Sequence, residues 1–195
     1  MPEIKRAVFL DRDGTINEQM GYINHLDRFV LLPGVGRAIG RLNKAGLPVV
    51  VTSNQSGVAR GYFPEELVTK VHRKMVQLLA QQGASVDGIY HCSHLPGAEV
   101  AAYRRDCDCR KPKPGLLLRA AEELGLDLPR SFVVGDKYSD LQAAHAVGAA
   151  SVLVLTGYGR GELEYILPRK EVKPDFVAEN LGRAVDWILS RVKAG

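Results

Sequence analysis

The stretch "RAVFLDRDGT", residues 6–15, decides the fold class of this chain. It begins with a short apolar run that stops at Asp11, as a buried strand does when acidic residues follow it. A helix-like segment at residues 36–46 comes next, and "PVVVTS", residues 48–53, is predicted as a second buried strand because it is rich in β-branched residues. This alternation predicts a parallel sheet with helices on both faces, which is a Rossmann-like α/β fold.

The same alternation continues to the end of the chain. Helices are predicted where apolar residues recur at helical spacing, and strands where short apolar runs end in polar residues. Because the connections are short, we expect one domain over residues 1–195 without an inserted cap domain. The remaining predicted strands are 87–92, 131–136 and 150–157, the remaining helices are 64–83, 114–125 and 139–148, and a last strand and helix lie within 175–192.

Composition limits the class of protein further. The chain has 195 residues, a formal net charge of +4 and 46% hydrophobic residues, which are ordinary values for a globular domain. Lysine and arginine do not form runs with interleaved aromatic residues, which argues against nucleic-acid binding. No apolar stretch approaches the roughly 20 residues of a membrane helix, and the N-terminal apolar run is too short for a secretion signal. We therefore expect a cytoplasmic protein that binds neither nucleic acid nor membrane.

Polar residues follow the predicted strands at the edge where such sheets bind ligands. Taken alone, each group can be explained as a turn, a helix cap or a solvated side chain. An EF-hand loop is excluded, because Thr15 and Ile16 stand where that loop needs a ligand and a glycine. Four such groups at one edge argue for a functional site. They are Asp11 and Asp13 after the first strand, Ser53 and Asn54 after the second, Arg110 and Lys111 after the third, and Asp136, Lys137 and Asp140 after the fourth.

Two carboxylates separated by one residue favour phosphoryl transfer. In extended backbone the side chains of Asp11 and Asp13 point the same way, and with Asp136 nearby a cation is needed to keep the carboxylates ionised. Oxygen ligands beside a phosphate suit Mg²⁺. One carboxylate can attack phosphorus while the other donates and accepts protons. Ser53, Lys111 and nearby backbone amides can stabilise the phosphoryl oxygens.

Four motifs resemble, in the same order, those of the haloacid dehalogenase superfamily of phosphotransferases. They are "FLDRDGT", "TSNQSG", "KPKPG" and "GDKYSD", which span residues 9–140. The resemblance implies a capless fold of that type, with Asp11 as nucleophile and Asp13 as general acid–base. It further implies Mg²⁺ bound by the carboxylates of Asp11 and Asp136 and the backbone carbonyl of Asp13, and a phosphoryl group bound by Ser53 and Lys111.

Longer stretches are similar to the D-glycero-D-manno-heptose 1,7-bisphosphate 7-phosphatases, a histidinol-phosphatase-like branch of the superfamily. These stretches are "DRDGTIN", "NQSGVARG", "CDCRKPKPG" and "VGDKYSDLQAA". The resemblance implies release of the C7 phosphate of a sugar bisphosphate, on the route to nucleotide-activated heptose for lipopolysaccharide. It also implies substrate contacts at Asp11, Arg12, Asp13, Gln19, Met20, Gly21, Tyr22, Ser53, Asn54, Gln55, Ser56, Arg110, Lys111 and Lys137.

The segment "HCSHLPGAEVAAYRRDCDCRKPKPG", residues 91–115, contains all three cysteines of the chain. Three thiolates and one imidazole make a closed tetrahedral zinc site, although a cluster of free thiols is the alternative. In a reducing cytoplasm, metal binding is favoured over a disulfide. His91 is left out, because in an extended segment it faces away from its neighbours. The predicted Zn²⁺ ligands are Cys92, His94, Cys107 and Cys109.

We expect the zinc to be structural, because four protein ligands leave no open position. It would order a long polar loop at residues 91–111, to which zinc binding can contribute on the order of 10 kcal/mol. Arg110 and Lys111 follow the last ligand directly, so the zinc would fix two cations. Lys111 is expected at the transferred phosphate, and the Arg110 guanidinium suits a second one. This favours a sugar bisphosphate over histidinol phosphate.

Three alternatives remain open from the sequence. The nearest is a histidinol-phosphate phosphatase, which performs the same chemistry on another alcohol. The second is a non-catalytic phosphate-sensing domain in which Asp11 is phosphorylated but not turned over, and the presence of Asp13 argues against it. The third is a zinc-stapled nucleic-acid binder, against which the scattered basic residues argue. We expect a monomer.

Overall fold

The computed structural model describes residues 5–194; residues 1–4 and 195, which the predicted domain includes, lie outside the described range. Six strands form one parallel sheet in the order β3-β2-β1-β4-β5-β6. The predicted parallel sheet is therefore confirmed. The strands are β1 (Val8–Leu10), β2 (Val49–Asn54), β3 (Gly88–Cys92), β4 (Phe132–Gly135), β5 (Ala150–Val154) and β6 (Phe176–Ala178).

Helices cover both faces of the sheet. They are α1 (Val35–Lys44), α2 (Glu65–Gln81), α3 (Gly115–Leu124), α4 (Tyr138–Ala146), α5 (Gly159–Gly161) and α6 (Leu181–Ala194). Val8 and Leu10 pack into one apolar cluster with α1, α2 and α6, whereas Phe9 packs into another with α3 and α4. Successive side chains of a strand point to opposite faces, so a continuous apolar run serves both clusters. Within residues 5–194, no helix has both the length and the apolar character needed to cross a membrane.

The strand order creates a crevice at the end of β1. The chain passes from β1 outward to β3 on one side of the sheet and then returns to form β4 on the other side of β1. In parallel α/β sheets, ligands bind beyond the carboxyl ends of the strands at such a reversal. The loops after β1, β2, β3 and β4 therefore meet at one place.

The predicted element ends agree with the structure within two residues, except for the end of the fifth strand. The helix predicted to begin at Ser139 begins at Tyr138, because the carboxylate of Asp140 accepts a hydrogen bond from the Lys137 backbone N–H at 3.2 Å. The fifth strand ends at Val154, before the predicted end. The residues beyond it turn toward the crevice, where Thr156 Oγ1 donates to the Gly14 carbonyl at 2.6 Å.

Candidate active site

Asp11 directly follows β1 and lies buried against Lys111. Lys111 Nζ donates to Asp11 Oδ1 at 2.8 Å and to the Thr52 carbonyl at 2.7 Å, and it lies 2.6 Å from Asp140 Oδ1. Burial alone would lower the pKa of Lys111, but the carboxylates of Asp11 and Asp140 outweigh it and raise that pKa. The ammonium group therefore stays charged and holds three separate segments of the chain together.

Asp136 follows β4, and its side chain is 0% exposed. Its Oδ2 accepts a hydrogen bond from the Tyr158 backbone N–H at 2.9 Å, whereas its Oδ1 has no hydrogen-bond partner among residues 5–194. Gly14 and Gly157 lie beside it with φ angles of 87° and 56°. A Cβ atom on either glycine would collide with the carboxylate. The two glycines therefore make room for a buried carboxylate with one unpaired oxygen.

The carboxylates around Lys111 form a compact acidic cluster. Oxygens of Asp11, Asp136 and Asp140 lie within 4.8 Å of one another. Burial, followed by the neighbouring carboxylates, raises the pKa of Asp11 to about 6 and that of Asp136 to about 8. One ammonium group cannot neutralise three carboxylates, and a hard divalent cation fits such a set of oxygen ligands.

Asp13 lies two residues beyond Asp11 in a different electrostatic environment. Its Oδ1 accepts from Asn17 Nδ2 at 2.9 Å, its Oδ2 accepts from Gln55 Nε2 at 2.8 Å, and Arg12 Nη2 donates to both oxygens at 2.9 and 2.8 Å. Burial alone would raise the pKa of Asp13, but the Arg12 guanidinium and these hydrogen bonds hold it below its ordinary value. The free site therefore contains Asp13 as a carboxylate in a fixed orientation.

A cavity of about 340 Å³ lies at this end of the sheet and is lined by three cations. Lys111 is buried there, whereas Arg110 and Lys137 are partly exposed. Lys137 Nζ lies 4.4 Å from the ring centre of Tyr158. The cavity has the size of a small-molecule site. The predicted site residues that line it are Asp11, Asp13, Gln19, Gly21, Tyr22, Asn54, Gln55, Ser56, Arg110, Lys111 and Lys137.

Apart from the predicted zinc ligands, four predicted site residues do not line the cavity. The Arg12 guanidinium is 1% exposed and lies inside the protein, and Met20 packs against the apolar cluster on one face of the sheet. Ser53 is buried, and its Oγ accepts a hydrogen bond from Gln55 Nε2 at 2.7 Å. Asp136 lies behind the cavity, next to the two glycines described above.

The cavity also contains residues for which the sequence predicts no role. Asp140, from the motif "GDKYSD", is expected at this edge of the sheet, and the structure adds its contact with the Lys111 ammonium group at 2.6 Å. Tyr158 follows β5, so the pattern of polar residues after the strands, which ends here at the fourth strand, extends to it. Ile23, Gly57 and Ser139 carry no comparable signal.

The three cysteines and His94 meet beside β3 and have the composition of a zinc site. Cys92 Sγ lies 3.4 Å from Cys107 Sγ and 2.9 Å from Cys109 Sγ, and His94 Nδ1 lies 3.3 Å from Cys109 Sγ. These separations are somewhat shorter than the roughly 3.8 Å between two sulfurs on one tetrahedral zinc ion. Burial and the neighbouring thiols raise the pKa of Cys109, so a divalent cation is needed to keep three thiolates together.

The loop that contains these ligands is joined to the acidic site. The side-chain amide of Asn54 donates to the Lys111 carbonyl at 2.9 Å and accepts from its backbone N–H at 3.1 Å. Arg110 Nη1 donates to the His94 carbonyl at 3.4 Å. His91 lies outside the cluster, as predicted, because its Nε2 contacts Glu65 Oε1 at 3.2 Å.

The fold and the buried aspartates around a lysine define a phosphotransferase site of the haloacid dehalogenase type. A family model described as HAD-hydrolase-like matches residues 108–184. A crystal structure of D,D-heptose 1,7-bisphosphate phosphatase from B. bronchiseptica, complexed with magnesium and phosphate, has a TM-score of 0.83 and 37% identity. The match covers 95% of this chain and 99% of that one.

Proteins that are similar in sequence are also named as heptose bisphosphate phosphatases. D-glycero-beta-D-manno-heptose-1,7-bisphosphate 7-phosphatase from Photorhabdus laumondii is 49% identical over 152 residues, which is 77% of this chain and 81% of that protein. The protein of that name from Escherichia coli is 43% identical over 185 residues, which is 94% of this chain and 88% of that protein. The chain belongs to the D-glycero-D-manno-heptose-1,7-bisphosphate 7-phosphatase family of the haloacid dehalogenase superfamily.

The raised pKa of Asp136 predicts how stability depends on pH in magnesium-free buffer. Below the ordinary pKa of 3.8 both states are protonated; as pH rises toward about 8 the unfolded state releases this proton while the folded state keeps it, so the contribution to stability is lost. We expect the melting temperature to fall between pH 6 and pH 8. In Asp136→Asn the fall should be smaller by at least about 2 °C, the shift that about 1 kcal/mol produces in a chain of this size. An equal fall in melting temperature for the two proteins would contradict a raised pKa of Asp136.

Proposed function

We propose that this chain is a Mg²⁺-dependent phosphatase that releases the C7 phosphate of D-glycero-D-manno-heptose 1,7-bisphosphate through an aspartyl-phosphate on Asp11. The proposal rests above all on the buried contact of Asp11 with Lys111 at the end of β1, with the Asp136 carboxylate beside it. Relatives that carry this activity in their names match most of the chain. We also propose that the product enters the synthesis of nucleotide-activated heptose for lipopolysaccharide, as the family resemblance implies.

In the first proposed step, a carboxylate oxygen of Asp11 attacks phosphorus. The bond between phosphorus and Asp11 forms while the bond between phosphorus and the sugar O7 breaks. Lys111 Nζ holds Oδ1, which leaves Oδ2 without a donor among the described residues and free to attack. Asp13 gives its proton to O7. The negative charge of an incoming phosphate disfavours ionised Asp13, so substrate binding favours the protonated form that this step needs.

In the second proposed step, Asp13 acts as a base. It accepts a proton from water while the water oxygen attacks phosphorus, the bond to Asp11 breaks, and inorganic phosphate leaves with Asp11 restored. The low pKa of Asp13 in the free site suits this role, because the carboxylate returns to its ionised form once the leaving group has departed. Lys111 and the Ser53 hydroxyl are the proposed donors to the phosphoryl oxygens in both steps.

The acidic cluster fits Mg²⁺. The proposed ligands are the carboxylates of Asp11 and Asp136 and the backbone carbonyl of Asp13, and the unpaired Oδ1 of buried Asp136 supports this choice. When bound, the ion neutralises the clustered carboxylates and polarises a phosphoryl oxygen. Asp140 would keep Lys111 in place beside it, because it pairs with the ammonium group.

The rest of the cavity is proposed to bind the sugar and its second phosphate. Arg110 and Lys137 are the cations available to that phosphate, since Lys111 is engaged at Asp11. The proposed contacts to the remainder of the substrate come from the loop after β1 and the loop after β2. Those that line the cavity are Gln19, Gly21, Tyr22, Asn54, Gln55 and Ser56, whereas the predicted contacts Arg12 and Met20 do not line it.

The cysteine cluster is proposed to bind a structural Zn²⁺ through Cys92, His94, Cys107 and Cys109. Its composition and its position next to Arg110 support this role. The three cysteines are free thiols, which supports a reducing compartment, and we propose the cytoplasm. We propose one phosphatase domain with a zinc loop at residues 91–111, built around the six-stranded sheet, and we propose that it acts as a monomer.

Substitution of the nucleophile tests the proposed function. With Mg²⁺ present, the wild-type chain should release phosphate from D-glycero-D-manno-heptose 1,7-bisphosphate much faster than from histidinol phosphate. Asp11→Asn should lower the rate by about 10³-fold or more, because the amide cannot attack phosphorus. Phosphate release is measured over time on both substrates. Preference for histidinol phosphate would reassign the substrate, and release that does not depend on Asp11 would refute the mechanism.

Truncation of Arg110 tests the binding of a second phosphate. Arg110→Ala should lower kcat/KM on the sugar bisphosphate by about tenfold or more, because a charge-assisted contact to phosphate is lost. The loss on a simple alkyl monophosphate should be less than about twofold. Arg130→Ala, at an exposed arginine that does not line the cavity, serves as the control. Equal losses on both substrates would show that Arg110 acts elsewhere in the reaction.

Removal of one thiol tests the zinc site. Wild-type chain should contain one zinc ion per molecule by atomic emission, and Cys107→Ala should lose it because a tetrahedral site with three ligands is weakened. Phosphatase activity should fall at the same time, since the loop no longer holds Arg110 and Lys111. His91→Ala is the matched control and should retain zinc, because its ring contacts Glu65 rather than the cluster. Full activity in zinc-free Cys107→Ala would show that phosphate release does not need the zinc.

A further inference from the structure

We propose that His72 is a positioning residue that orients Asp13 through Arg12, an inference that rests on the proposed acid–base role of Asp13. His72 lies on α2, is 8% exposed and has no place in the reaction steps given above. Its Nε2 lies 3.2 Å from Arg12 Nη1. It therefore touches the residue that holds Asp13, and it lies in a helix that contributes nothing to the lining of the cavity.

The direction of the hydrogen bond follows from chemistry. A guanidinium group has donors and no acceptor, so His72 Nε2 must accept, and the ring must be neutral with its proton on Nδ1. The surroundings agree, because burial and then the nearby guanidinium lower the pKa of His72 to about 3. His91, whose ring centre lies 5.3 Å away, also lowers the pKa of His72, and the opposing effect of Asp13 is smaller than these three.

Arg12 has few partners and cannot turn to water. Its Nη2 and Nε contact the Asp13 carboxylate, its Nη1 contacts His72, and no other acceptor receives a hydrogen bond from this guanidinium within residues 5–194. The group is 1% exposed, so loss of the imidazole would leave a buried N–H without a partner. The guanidinium would then rotate toward another acceptor and disturb its paired contact with Asp13.

The orientation of Asp13 matters because the same carboxyl group acts in both proposed steps. It must reach the leaving oxygen of the sugar and later the attacking water. Paired contacts from a planar guanidinium fix the plane of a carboxylate as well as its distance, which a point charge does not. A small misplacement of an acid–base group lowers the rate of the chemical steps while leaving substrate binding unchanged.

Three substitutions at His72 test the inference. The amide of glutamine can place an oxygen near the position of Nε2, the amide of asparagine reaches only the position of Nδ1, and leucine has no acceptor. Steady-state phosphate release from the sugar bisphosphate is measured for each, together with the melting temperature, with Asp11→Asn as the blank. His72→Leu and His72→Asn should lose kcat on the order of tenfold, a part of the roughly 10²- to 10⁴-fold that a positioned acid–base group supplies. KM should stay within about twofold, and His72→Gln should keep kcat within about threefold of wild type.

The glutamine and asparagine variants keep the test decisive even if the leucine variant does not fold, because both are polar and smaller than the imidazole. Wild-type kcat in all three variants would overturn the inference. So would equal loss in the glutamine and asparagine variants, which would indicate a merely structural role, and so would a change confined to KM. Wild-type chain without Asp11-dependent phosphatase activity would instead refute the proposed function, so the two failures are distinguishable.

Discussion

The buried ammonium group of Lys111 organises the end of the sheet. It contacts the carboxylate of Asp11 after β1, the backbone carbonyl of Thr52 in β2 and the carboxylate of Asp140 in α4. A charged group that is 5% exposed is tolerated inside a protein only when it is paired and hydrogen-bonded, so each of these partners must be in place. The geometry of three separate segments thus depends on one side chain, and that side chain is delivered by the loop that contains the cysteines.

The two aspartates after β1 have different surroundings, which suit them to the two different tasks proposed for them. Asp11 has Lys111 on one oxygen and other carboxylates nearby, so burial dominates and its pKa rises. Asp13 has a guanidinium and two amide donors, so its pKa falls although it is also buried. Enzymes that need a nucleophile and a separate acid–base group separate their carboxyl groups in this way. In this chain a spacing of two residues suffices, because Arg12 turns into the protein toward Asp13 while Lys111 approaches Asp11 from another segment.

Much of this arrangement follows from the sequence, because strand and helix patterns fix which loops meet and the motifs name the aspartates and the lysine. Other features depend on tertiary contacts that no local pattern encodes. Helix α4 begins one residue before its predicted start, because the Asp140 side chain caps the helix. The burial of Arg12 could not be predicted, since an arginine after a strand is ordinarily solvated and its partner His72 lies 60 residues away. The sequence predicts that Ser53 binds a phosphoryl group, but it does not indicate that Gln55 Nε2 donates a hydrogen bond to the Ser53 Oγ.

The cysteine loop between β3 and α3 needs a source of order other than the apolar core. Between β3 and α3 few residues are buried, and Ala98 is the one buried apolar side chain of this loop. Hydrophobic burial therefore contributes little against the entropy of a free loop. The proposed Zn²⁺ would order the loop through Cys92, His94, Cys107 and Cys109. Cys92 is fixed at the end of β3, and Cys107 and Cys109 pack at the margin of the apolar cluster on that face. Closing the distal half of the loop onto this rigid anchor carries Arg110 and Lys111 to the carboxyl end of β1, where the Asn54 amide locks the Lys111 backbone. The charge balance of the acidic site therefore depends on the order of this loop, because the loop positions Lys111.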